Sequence, residues 1–280
     1  MAFLRYSERL LLTRSSRSKI TRIRNSKVLL RSITHHVKDQ NWFAVLLDFF
    51  IVVVGVFVGI QVSNWNDART EREQERAFLG ALKSDVVQSS LDLASYIESV
   101  ESGHESLRQL AEFVDGQHDD MSTNDIDAHI LYGLFWLHFY SPTDGTYNEL
   151  LNSGRLGLIG DPELRAKLQE LASEVKSLAN NTAGIESMTY STMDPILLEK
   201  TDFRGFTSIP SAETGYQIEW LDPKKDRRDY KLSLRAPKVL NVILYRARLD
   251  QGTIQSAMRV RTLLEQTGKL LDRRIAALPN

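Results

Sequence analysis

Histidines, carboxylates and glycines are the side chains here whose spacing could support chemistry. His35 and His36 are adjacent, His104, His118, His129 and His138 form no i, i+4 pair, and there is no cysteine in 280 residues. A helix-borne metal site needs two ligands one turn apart, so no metal centre is expected, and no thiolate nucleophile or disulfide can exist. The acidic stretch 115–127 lacks the regular oxygen-ligand spacing of a calcium loop and reads as a solvated turn. Gly154, Gly157 and Gly160 recur every third residue with no strand before them, which is turn glycine rather than a dinucleotide fingerprint. Glu149, Asp161 and Glu163 are the carboxylates open to a hydrolytic role, but helix caps and helix surfaces produce such residues routinely. Neither a nucleophile elbow nor a phosphate loop occurs. The expectation is a chain with no catalytic residues and no cofactor.

The remaining candidates cluster on one apolar segment. Residues 42–62 are twenty-one in a row with a single charge, Asp48. At about 1.5 Å per residue such a helix covers roughly 30 Å, the hydrocarbon thickness of a bilayer. Gly55 and Gly59 form a Gly-xxx-Gly pair inside it, which lets two helix backbones approach and points to a homodimer through the span. Gln61, Asn64, Trp65 and Asn66 fall where the span meets water: the indole suits the headgroup region and the amides can bond lipid, water or a partner helix. Asp48 would need a second intramembrane ionisable group to relay protons, and the chain supplies none.

Charge sets the expected orientation. Residues 1–40 hold ten Lys/Arg against Glu8 and Asp39, a balance of +8 in a chain of net charge -1. Basic residues beside a span stay in the cytoplasm, which places 1–41 inside and 63–280 outside. A cleaved signal peptide would have a shorter basic region and a small-x-small site. Composition also fits a mitochondrial presequence. Ile20, Ile23, Leu30, Ile33 and Val37 alternate with cations as in a basic amphipathic helix lying on the inner leaflet, or else the tail is a disordered topology signal. It lacks the interleaved aromatics of a nucleic-acid binder.

The elements that must carry these residues are helices. Leu79, Val86, Leu93, Val100, Leu107 and Val114 recur at intervals of seven, with Leu82, Ser89, Tyr96, Gly103 and Leu110 as a less apolar companion seam, so the span continues into a long helix of an antiparallel bundle rather than a strict coiled coil. A second helix is expected over 124–140, a short one over 147–152, and a third from 162 to about 179, with Asp161 as cap and Pro162 in its first turn. It resumes toward Lys200 with Pro195 marking a kink or restart. Alternation near 216–234 suggests a small β-hairpin, and 237–278 reads as one long helix antiparallel to the stalk.

The run from Val53 to Asp67 through Gly55, Gly59, Gln61 and Asn64-Trp65-Asn66 resembles an uncharacterised family of bacterial single-pass membrane proteins, a domain of unknown function. The segment Leu150-Leu151-Asn152-Ser153-Gly154-Arg155-Leu156-Gly157-Leu158-Ile159 is similar to the family's Leu-x-x-Ser-Gly-x-Leu-x-x-Ile motif. The resemblance covers residues 40–180 at motif level and implies location and fold, not activity; it also argues against a mitochondrial address. The expected protein is mainly α, sits in the bacterial inner membrane, and carries an extracytoplasmic helical domain that serves interaction or scaffolding with an unknown membrane or periplasmic partner. The alternative is an extracytoplasmic ligand-sensing module. Forty basic residues are too few for an output domain, so such a sensor would act through a partner protein.

Overall fold

The structure, a computed structural model, describes residues 42–209 and 228–279. The described chain is mainly helical with no strand among the described residues, and it divides into two units at Asn66/Asp67. The basic tail 1–41 and the first half of the expected hairpin lie outside the described residues.

The first unit is the opening part of α1, Trp42–Val114. Its apolar side chains are exposed from end to end, with an 18-residue window of mean hydropathy 2.8 that is 0% buried. Length and composition make this the one described helix able to cross a membrane.

The second unit begins at Asp67 and is a helical bundle. From Glu75 onward α1 buries Leu79, Leu82, Val86, Ser89, Leu93 and Tyr96, then Val100, Gly103, Leu107, Leu110 and Val114. Both heptad seams are therefore inside, including the polar and glycine positions. After a turn at Gly116, α2 spans Thr123–Ile130, with Ser122 accepting the Asp125 N–H as its cap. A single π-turn, Leu131–Phe135, extends it, and α3 (Gly145–Asn152) follows an extended stretch. Next come a 3₁₀ turn, Arg155–Leu158, and α4, Pro162–Met188. Asp161 caps α4 as expected, accepting from the N–H groups of Glu163 at 2.9 Å and Leu164 at 3.3 Å. A π-turn at Thr189–Met193 leads into α5, Asp194–Lys200. Pro195 has no N–H to bond a carbonyl one turn back, and the widened turn just before it absorbs that mismatch. The 3₁₀ segment Phe203–Ser208, α6 (Lys231–Leu234) and α7 (Pro237–Ala277) complete the unit.

Three long elements pack side by side. Glu75 and Arg274, then Val86 and Gly268, pair α1 with α7 in opposite directions. Glu163 with Arg273 and Glu174 with Arg259 do the same for α4 and α7. Tyr96 meets Thr182, so α1 and α4 run parallel. The apolar interior forms two clusters, one around Leu79, Leu93, Leu168 and Leu264, the other around Phe113, Ile130, Leu197 and Tyr230.

Two expectations are corrected. The helix expected over 124–140 stops at Phe135, because Arg246 of α7 donates to the carbonyls of Leu134 (3.0 Å) and Trp136 (3.1 Å) and fixes the chain in an extended path beyond. The segment expected as the second hairpin strand is instead the single turn α6. Tyr230 and Leu234 are buried there while Leu232 is 83% exposed, the period of a helix rather than a strand.

Candidate functional site

The second unit holds a cleft of about 390 Å³ with a mostly apolar lining. Its walls are apolar: Leu82 and Val86 from α1, Leu168, Leu171 and Val175 from α4, and Leu264 from α7 behind them. The heptad seam of α1 supplies the first pair and the apolar stripe of α4 the next three, so the cleft lies between these two parallel helices.

Residues 140–148 roof it, and their polar groups are tied back to α1. Ser89 Oγ donates to the Thr143 carbonyl and accepts the Thr143 N–H, both at 3.0 Å. Tyr140 Oη donates to the Ser89 carbonyl at 3.1 Å, and the Thr146 N–H donates to Asp85 Oδ2 at 3.0 Å. Burial pushes the Tyr140 phenol up to about 12, with Asp92 and Asp144 adding to the shift against the Ser89 hydrogen bond. The roof is thus fixed by four bonds, and the void beneath it is left to hydrocarbon.

A polar layer separates the two apolar clusters. Arg246 and Asp250 pair at 2.9 Å, Tyr96 Oη and Thr182 Oγ1 share a hydrogen bond at 3.3 Å, and His138 and Thr253 line the same small space. Burial, helped by the Arg246 charge, lowers the His138 imidazole to about 4, so it is neutral at pH 7.

Gly55 and Gly59 stand one turn apart on α1 with nothing within 4 Å of a Cβ at either position. Helical spacing puts Val62 and Asn66 on that same face, while Gln61 and Trp65 share another and Asn64 a third. Gln61, Asn64, Trp65 and Asn66, expected from the sequence to meet the membrane surface, are all exposed, Trp65 at 62%. Among the described residues no group of three or more His, Asp or Glu side chains is placed to hold a metal ion; His118 lies beside Glu112 at 3.3 Å, and His138 lines the small space beside Asp250. Asp161 caps α4, and Glu163 pairs with Arg273 at 2.5 Å. Sequence reasoning missed the cleft, which is a gap between elements with no local signature. It also missed Arg246 and Asp250, whose i, i+4 opposite charges within an apolar stripe were a readable signal.

No protein-family model, no curated protein and no solved structure matches this chain.

Proposed function

We propose that the protein is a single-pass protein of the bacterial inner membrane, with its N-terminus cytoplasmic and residues 63–280 outside, acting as an interaction or scaffold module without catalytic activity. The observation that carries the anchoring is the apolar first part of α1, which is wholly exposed; a core helix of a soluble domain would be covered by its neighbours. The +8 balance ahead of it supplies the orientation. The proposal includes membership of the uncharacterised family that the span and the Ser153-Gly154 motif resemble, and a homodimer through Gly55 and Gly59. Because the chain has no cysteine, single replacements report topology directly. In intact spheroplasts an impermeant maleimide is expected to label Ser173→Cys and leave Ser15→Cys unlabelled until the membrane is opened; the reverse pattern refutes the orientation.

A second reading, ligand sensing through a partner protein, is favoured by the cleft. Apolar cavities of about 300–1,000 Å³ with few polar groups are the usual form of small-molecule sites.

A further inference from the structure

We infer that the cleft between α1 and α4 binds a small apolar ammonium compound, its hydrocarbon or aromatic body against Val86, Leu168 and Val175 and its nitrogen toward Asp85 and Asp144. This rests on the ligand-binding reading above and adds the class of ligand.

Three observations lead there. The Tyr140 hydroxyl and the Thr143 backbone already bond Ser89 of α1, which leaves Asn148 and the rim charges as the few open polar partners in a mostly apolar lining. The rim has unequal charge. Asp85 is half-buried with one carboxylate oxygen taken by the Thr146 N–H and the other without a hydrogen bond among the described residues, and Asp144, an exposed residue of the same lining, makes no helix-capping bond. Lys176 is the one cation among the described residues lining the cleft; like Asp144 it is exposed, so water and salt screen both, and the half-buried Asp85 carboxylate is the least screened charge of the rim. Asp85 therefore leaves the inner rim of the cleft negative. Tyr140 and Tyr147 also line the cleft, and aromatic side chains add a preference for a cation over an anion.

The test uses the full-length protein in phosphatidylcholine nanodiscs, with empty discs as control, titrated by saturation-transfer NMR with 2-phenylethylammonium, 2-phenylethanol and phenylacetate. The ammonium is expected to bind at least about tenfold more tightly than the carboxylate. Replacing Asp85→Asn and Asp144→Asn together should bring the ammonium close to the alcohol while leaving the alcohol unchanged. The amide oxygen that Asp85→Asn retains can still accept the Thr146 N–H, so the roof is preserved. Val175→Trp should abolish binding of all three, and the charge pair carries the test if that variant does not fold. Alcohol binding without an ammonium preference, or an ammonium affinity indifferent to both Asn replacements, overturns the inference and leaves the ligand-binding reading standing. Failure of every probe to bind overturns both.

Discussion

Arg246 and Asp250 lie one turn apart on α7 and pair at 2.9 Å with both side chains only 4% exposed. The guanidinium also holds the Leu134 and Trp136 carbonyls, so one cation joins α7 to the end of the α2 extension. Removing either partner strands the other in the interior. Arg246→Met alone is expected to destabilise the second unit by about 3–5 kcal/mol, and the double replacement with Asp250→Leu to recover part of it, because the Leu134 and Trp136 carbonyls still lack their donor. Denaturant titration of the full chain in detergent checks both.

Glu75 ties three segments together at the other end of the bundle. Its carboxylate accepts from Arg274 Nε at 2.9 Å and from the Gly160 N–H at 2.7 Å. Burial raises its pKa, but the Arg274 and Gly160 hydrogen bonds outweigh this and hold it below the ordinary 4.5. A carboxyl lowered on folding stabilises above its unfolded value and loses that contribution as pH falls through its folded one. Stability is expected to decline below about pH 4.5, and Glu75→Gln to be less stable at pH 7 with a flatter acid limb; unchanged limbs in the two proteins contradict the prediction.

His138 titrates in a separate window. Its folded value near 4 lies below the ordinary 6.5, so the unfolded chain takes up the proton first and stability falls as pH drops from 6.5 toward 4. Melting temperatures recorded across that range should slope downward on acidification, and His138→Gln should reduce the slope.

Gly133 packs directly on α1. A Cβ there would stand 3.0 Å from Leu107 Cδ2 and 3.2 Å from the Leu107 backbone nitrogen, and the backbone atom cannot rotate away. Gly133→Ala is expected to cost about 1–3 kcal/mol, whereas Gly145→Ala, which meets nothing within 4 Å, should cost far less. Thermal denaturation of the two variants side by side makes the comparison.

In the first unit, the proposed homodimer gives a simple readout. With Val62→Cys on the Gly55 and Gly59 face, oxidative crosslinking in membranes should yield a dimer that Gly55→Leu reduces to background. An undiminished yield removes the glycine pair from the contact.

Local and periodic signals were legible. The sevenfold spacing from Leu79 to Val114 places both seams in the interior, and Asp161-Pro162-Glu163 marks the start of α4 without help from the rest of the chain. What could not be read depends on distant partners. The end of α2's extension is set by Arg246, some 110 residues later in the chain, and no pattern in 131–140 announces it. Alternation of Tyr230, Leu232 and Leu234 suits a strand or a single helical turn equally, and burial of Tyr230 against Asp127 decides for the turn. The cleft is an absence of side chains between helices whose separation only the assembled bundle defines.

The antiparallel placement of α7 has a consequence for biogenesis. The junction of Glu75 with Arg274 links residues 199 positions apart, and the apolar faces of α1 and α4 gain their shared cover only when α7 has been made. Such closure waits until every residue from Glu75 through Arg274 has been synthesised and has emerged from the ribosome. Until then the nascent stalk exposes a greasy stripe tens of residues long, so a ribosome stalled before α7 should leave a product that is cleared by proteolysis rather than one that keeps partial activity.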